Sequence, residues 1–172
     1  DQLDAIIDKF MDYARPGETQ VKPIPVARLI EKEAASFRDP TQIRITSRVA
    51  GDLKVLADET ELARVFLNLF ENARRYGRGT YTGVADVLVT HVRAGAWVIL
   101  TVRDHGPGVA PEKLGQLTTP FFRGDAARTA ATGAGLGLAI VEKALLRMGG
   151  SLELNNAPDG GLMAHVRLKR AA

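Results

Sequence analysis

Apolar side chains along this chain follow two rhythms, one of three to four residues and one of two, and the switches between them mark out its elements. Leu3, Ile6, Ile7, Phe10 and Met11 recur at helical spacing until Arg15-Pro16-Gly17 breaks the pattern, which predicts the closing turns of an amphipathic helix. Pro16, Gly17, Pro23 and Pro25 then form a linker with a short strand at Gln20 to Ile24, and Val26 to Phe37 reads as a helix. Ile43 to Thr46 alternates as a strand, as does Leu53 to Ala57, and the Gly51-Asp52 turn between them predicts a hairpin. Asp58 or Thr60 can cap the helix that follows, which runs to about Tyr76 before Gly77 and Gly79 end it.

Val84 to Val92 and Trp97 to Arg103 return to the strand rhythm around Ala94-Gly95 and read as antiparallel neighbours. From Val109 to Thr132 periodicity fades among Pro, Thr, Gly, Arg and Ala, which predicts a long mobile loop of the functional kind. Leu136 to Met148 is apolar on nearly all sides and reads as a buried helix stopped by Gly149-Gly150. Ser151 to Leu154 and Leu162 to Leu168 close the pattern as a hairpin around Asp159-Gly160-Gly161. The fold class is α/β, a sheet against helices without repeats. Residues 1–15 end a helix, 16–25 hold the linker and first strand, and 26–172 form the main domain.

Composition narrows this picture. At 172 residues and 45% hydrophobic content the chain can bury one sizeable core. It has no cysteine, which excludes disulfide staples, thiolate metal sites and cysteine nucleophiles and makes a reducing compartment the simpler setting. The formal charge of +3, with both signs mixed throughout, argues against a nucleic-acid partner. The longest weakly polar run, Ala94 to Val102, falls far short of the roughly 20 residues that span a bilayer. The chain opens on Asp1 rather than Met, so a longer parent with upstream membrane segments is expected.

Three separated blocks carry candidate chemistry. On the predicted helix from Asp58 to Tyr76, the apolar Leu62, Val65, Phe66, Leu69 and Ala73 share one face, while Asn68, Asn72 and Arg75 share the other. Asparagine is a poor helix former, so two of them on one face call for a hydrogen-bonding role or a ligand; the alternative is a solvated face. An amide oxygen suits Mg²⁺, and a guanidinium suits phosphate. Asp104-His105-Gly106-Pro107-Gly108 follows a strand, and its glycines let a planar ligand approach the backbone; the alternative is a surface turn. The Asp104 carboxylate can accept from the adenine amine, where guanine would offer only another acceptor. Gly133-Ala134-Gly135-Leu136-Gly137 opens a helix whose N–H groups favour phosphate, but it is neither a GxxxxGK[ST] loop nor a dinucleotide fingerprint. The three histidines, His91, His105 and His165, lack metal-ligand spacing, and no G-x-S-x-G elbow occurs.

In this order the blocks resemble the catalytic ATP-binding domain of bacterial two-component sensor histidine kinases, whose two-layer sandwich of a mixed, mostly antiparallel sheet on helices is shared with gyrase, Hsp90 and MutL. Asn68 to Asn72 resembles the N box, Asp104 to Gly108 the G1 box, Pro120-Phe121-Phe122-Arg123 the F-box region and Gly133 to Gly137 the G2 box. The likeness runs from about residue 20 to the end, and the stretches at Asn72, Phe122 and Gly135 are most like the EnvZ type. The resemblance implies an ATP site in which Asn72 holds Mg²⁺ and Asn68 its outer shell or the phosphates. Arg75 and Arg123 would neutralise phosphate, Tyr76 stack on adenine, and Asp104, with Gly106 and Gly108, read the base. Phe121 would anchor a lid over about residues 109–132, and Gly133, Gly135, Leu136 and Gly137 would cradle phosphate.

Two positions depart from the family pattern. Thr118 stands where the F box usually has an aromatic residue, and Ala134 replaces a threonine hydroxyl in the G2 box. The resemblance further implies transfer of the γ-phosphoryl group to a histidine on a separate dimeric helical domain, relay to a response regulator, and a homodimeric parent in the bacterial inner membrane with this domain in the cytoplasm. Residues 1–14 resemble only the last turns of that helical domain, so the chain is expected to bind Mg-ATP without phosphorylating itself. The alternatives are an ATP-hydrolysing switch of the gyrase or Hsp90 kind, disfavoured because Asn68 stands where such enzymes carry glutamate, and a nucleotide-sensing docking module without kinase activity.

Overall fold

The computed structural model describes residues 2–14, 18–120 and 137–171. Helix α1 (Gln2–Ala14) leads to β1 (Lys22–Pro25) and α2 (Val26–Ala34), followed by β2 (Ile43–Ser47), β3 (Lys54–Ala57) and the long α3 (Glu59–Tyr76). Strands β4 (Ala85–Ala94) and β5 (Trp97–Arg103), a 3-10 turn at Pro111–Gln116, α4 (Gly137–Arg147), β6 (Ser151–Asn156) and β7 (Leu162–Lys169) complete the order. Five strands form one sheet in the order β2-β4-β5-β7-β6, parallel only between β2 and β4. A parallel pair needs a crossover of about a dozen residues or more, and β3 with α3 supplies it.

Alternation in the strands decides which face is buried. Val87 and Val89 of β4, Val98, Leu100 and Val102 of β5, and Ala164, Val166 and Leu168 of β7 all point inward. They meet Leu62, Val65, Phe66, Leu69 and Phe70 of α3 and Leu138, Val141 and Leu145 of α4 in one core. Phe70 lies at its centre, 6.0 Å from the Phe66 ring and edge-on to Phe37 at 5.9 Å. This two-layer arrangement is the mixed, mostly antiparallel sandwich expected.

The structure corrects the sequence reading at several points. Strands β2 and β3 do not pair: β3 joins β1 in a separate antiparallel ribbon, with Ile24 opposite Val55. The ladder of β2 runs on instead, Arg48 N–H donating to the Val89 carbonyl at 2.8 Å, and although the Leu53 N–H closes a tight turn on the Ala50 carbonyl at 3.2 Å, the chain leaves that turn to pair with β1 and not back along β2. Leu53, Val55 and Ala57 then go into the core, a choice made by distant partners. Helix α2 stops at Ala34, three residues early, because Ser36 and Phe37 donate to carbonyls three residues back and tighten the last turn. Helix α4 is not buried all round. Lys143 and Leu146 are exposed beside its buried Ala144 and Leu145. The start of the expected mobile loop is packed: the 3-10 turn leads into a buried Leu117, and Val109 and Leu114 rest on the core.

Candidate functional site

The polar face of α3 is set by its cap and its buried stripe. Asp58 caps the helix by accepting from the Glu61 N–H at 3.0 Å. With the apolar stripe turned to the sheet, the opposite face bearing Asn68 meets α4 and not water. Asn68 is 4% exposed and its Nδ2 donates to the Arg64 carbonyl at 3.0 Å. A Cβ placed on Gly137 would lie 3.8 Å from Asn68 Oδ1, so the N-terminus of α4 stands directly beside this amide. The solvated-face alternative therefore fails at Asn68.

One turn later Asn72 is half-buried and makes no side-chain hydrogen bond among the described residues. Arg75 is exposed and donates from Nε to Glu71 Oε1 at 2.7 Å, while Arg74 grips the same carboxylate through Nε and Nη2. Burial would raise the Glu71 carboxyl, but hydrogen bonds from Arg74 and Arg75, with their charges, outweigh it and hold it below the ordinary glutamate range. A carboxylate clamped in this way is a poor general base. Tyr76 is half-buried at the end of the helix.

The other end of the site is built from backbone. Asp104, 7% exposed, accepts at Oδ1 from the N–H groups of Gly106 and Leu162, both at 3.0 Å. Oδ2 accepts no hydrogen bond from the described residues. Gly77 lies against that carboxylate, since a Cβ there would stand 2.5 Å from Asp104 Cγ and 2.6 Å from Oδ2. Its φ of −99° suits any residue, so glycine is required for room and not for a left-handed turn. Gly106 in turn packs on Gly77, where a Cβ would come within 2.6 Å of the Gly77 carbonyl carbon. Gly161 has φ +100°, and a Cβ on it would collide with the Asp104 carbonyl oxygen.

The β6–β7 turn thus braces the Asp104 loop from below. Asn156 accepts from Val109 N–H at 2.9 Å and donates back to its carbonyl at 2.6 Å, close beneath Gly108. Arg103 pairs with Asp159, and that hydrogen bond holds the exposed Asp159 carboxyl below the usual range. His105 meets the Asp86 carbonyl at 2.8 Å.

The sequence reading placed Asn68, Asn72, Arg75, Tyr76, Asp104, Gly106, Gly108 and Gly137 within the described residues. Phe121, Arg123, Gly133, Gly135 and Leu136 lie outside them, as does most of the expected lid. Thr118 is half-buried after the 3-10 turn. The same reading missed Gly77, Asn156, Gly161 and the Leu162 N–H as parts of the Asp104 end. Paired glycines in the 159–161 turn were the available signal, since a hairpin turn needs fewer.

Among the described residues no cluster of three or more acidic, histidine or cysteine side chains could cage a metal, and no helix is long and apolar enough to cross a membrane. The family model described as histidine kinase-, DNA gyrase B- and HSP90-like ATPase matches residues 57–172. A probable sensor histidine kinase HK of Mycobacterium tuberculosis (strain CDC 1551 / Oshkosh) is 35% identical over 172 residues, which cover 97% of this chain and 43% of the relative. The sensor histidine kinase component HK1 of M. tuberculosis strain H37Rv is 38% identical over 146 residues, 84% of this chain and 82% of the relative. The structure of full-length ShkA in complex with AMPPNP superposes with a TM-score of 0.80 at 27% identity, covering 99% of this chain and 36% of that one. The chain thus spans less than half the length of HK and of ShkA. A matched core, the shared fold and these identities make the chain a member of the histidine kinase-, DNA gyrase B- and HSP90-like ATPase family, within its sensor histidine kinase branch.

Proposed function

We propose that this chain is the catalytic domain of a sensor histidine kinase that holds Mg-ATP and presents its γ-phosphoryl group to a histidine on a separate helical domain. The observation that carries the reading is the half-satisfied Asp104 carboxylate: Oδ1 is held by two backbone N–H groups, and Oδ2 accepts no bond from the described residues. Such a group, walled by the glycine backbone of Gly77 and Gly106, is suited to accept from the exocyclic amine of adenine. Tyr76 would stack on the base, with Gly108 bounding the loop.

Asn68, Asn72, Arg75 and the N-terminus of α4 at Gly137 make up the phosphate end, with Gly133, Gly135 and Leu136 of the same glycine block cradling phosphate, Arg123 adding charge from the lid and Phe121 anchoring the lid. The donor set suits Mg²⁺, which takes one or two protein oxygens and fills the rest of its shell with phosphate and water. Asn72 supplies such an oxygen, and the ion when bound would neutralise charge on the phosphates. The remaining work of the chain is positioning and charge neutralisation. Glu71, gripped by two arginines, is unsuited to activate water, which counts against a hydrolysing switch. Domain limits follow the sequence reading: residues 1–15 close the helical domain, 16–25 link, and 26–172 bind nucleotide. We further infer a cytoplasmic setting in a homodimeric parent of the inner membrane, with a response regulator as the final acceptor.

Calorimetric titration with AMPPNP and its guanine counterpart in Mg²⁺ tests the reading, and only the adenine compound is expected to bind. Mixing with the helical domain should then yield acid-labile phosphohistidine from ATP, and the chain alone should yield none. Equal binding of both nucleotides would sink the Asp104 assignment, and binding without transfer would favour a sensing module.

A further inference from the structure

One buried polar unit lies far from the candidate pocket. Glu61, in the first turn of α3, is 5% exposed, and Arg147, in the last turn of α4, donates to both its oxygens: Nε at 3.2 Å to each, and Nη2 at 2.8 Å to Oε1. At the opposite end of α4, Gly137 stands beside Asn68. The two helices therefore run antiparallel, with the ion pair about 15 Å along α4 from its N-terminus.

The rest of the α4 contact carries little directional information. Its inward residues are Leu138, Ala139, Ile140, Val141, Ala144 and Leu145, all apolar. Arg147 makes the only side-chain hydrogen bonds of α4 among the described residues. Apolar contacts are non-directional, and such faces accept small shifts at low cost. A buried, doubly bonded ion pair has one satisfied geometry, and fixing register is the best-attested use of such groups.

We propose that Glu61 and Arg147 are positioning residues that pin the register of α4 on α3, and so set where the α4 N-terminus stands against Asn68 and the phosphates of a bound nucleotide. This rests on the nucleotide reading above. The pin acts on the phosphate end alone, because the Asp104 end is braced by the β6–β7 turn and makes no use of α4.

The test replaces the pair in the full chain by Glu61→Met together with Arg147→Met, a change that apolar packing generally tolerates. Binding of AMPPNP with Mg²⁺ and of adenosine is measured by calorimetry and competition beside a thermal melt. The variant should melt near the parent, bind AMPPNP about tenfold more weakly, as befits a displaced helix N-terminus, and bind adenosine within about twofold of the parent. Unchanged AMPPNP binding, or equal weakening of both ligands, overturns the proposal. If the double variant does not fold, Arg147→Lys carries the test, since an ammonium keeps the charge but cannot fork across both oxygens. The same split between ligands is then expected at about threefold, and its absence overturns the pin. A parent that binds neither ligand overturns the nucleotide reading itself, and a parent that binds both while the variants show no split leaves that reading standing without the pin.

Discussion

The two ends of the candidate pocket are made of different material. At the Asp104 end, main chain packs on main chain: Gly77, Gly106 and Gly161 leave no room for a methyl group, and two backbone N–H groups fix one carboxylate oxygen. At the Asn68 end, side chains on one helix face the start of another, and a Cβ on Gly137 would reach Asn68 Oδ1 only at 3.8 Å, an ordinary contact. A planar base offers a fixed shape to rigid backbone. Phosphates offer charge, which side chains and a helix end can follow. The contrast predicts that the Asp104 end fails abruptly under substitution and the Asn68 end by degrees.

The largest effect should come from Gly161→Ala. The added methyl meets the Asp104 carbonyl oxygen, and φ of +100° is strained for any L side chain, so stability should fall by about 3 kcal/mol or more. Gly137→Ala, where a Cβ would make only an ordinary contact with Asn68 Oδ1 at 3.8 Å, should change stability by less than about 1 kcal/mol. Urea unfolding of the two variants measures both. Similar midpoints would abolish the distinction between the ends.

Next in size is Asp104→Asn. Its amide oxygen can still accept from Gly106 and Leu162, so the fold should hold, but an NH₂ group replaces the acceptor at Oδ2. ATP affinity is expected to fall on the order of a hundredfold, with two donors now facing each other. Retained affinity in titration would show that the base is read elsewhere.

These two variants also separate what could be read in the sequence from what could not. Asp104 followed by glycines at Gly106 and Gly108 is a local pattern, and the loop could be singled out from it as a candidate site. The helix face of Asn68 and Asn72 was legible for the same reason, because helical spacing is short-range. Gly77 was visible only as a helix stop; its actual task, making room for Asp104, depends on a residue brought to it by the sheet. Gly161 and Leu162 reach Asp104 from over fifty positions away, as the 58-residue separation of the Leu162 bond records. The misplaced β3 has the same origin: its alternation was right, and its partner β1 could be chosen only by burying Ile24 against Val55. Glu61 and Arg147, 86 positions apart, carried no local signal at all.

A smaller effect is expected at Asn72. The side chain is half-buried and makes no hydrogen bond among the described residues, so Asn72→Ala should leave the melting temperature nearly unchanged. Nucleotide affinity should fall about tenfold in Mg²⁺ and hardly at all in its absence, since the side chain removed is the proposed metal ligand. Equal affinity in Mg²⁺ would remove Asn72 from the metal role, while a large drop in stability would mean that this face is more rigid than the comparison allows.

The smallest effect concerns pH. Glu71 is held below the ordinary value of 4.5, against the upward pull of burial, by hydrogen bonds from Arg74 and Arg75. A carboxyl with a depressed folded pKa gives stability that is fully present above its unfolded pKa and is lost as pH falls through the lower, folded value. With its side chain 30% exposed, the group should contribute no more than about 1 kcal/mol. Urea unfolding of the parent and of Glu71→Gln should therefore differ most at pH 6 to 7 and converge as the pH drops below about 4.5. The same titration should loosen Arg75, because a protonated Glu71 no longer attracts it, whereas Asp104 keeps its two backbone donors whatever happens at Glu71. A parent-to-variant gap that widens toward acid would mean that burial outweighs the arginines, and the phosphate end would then lose its claim to be held by charge.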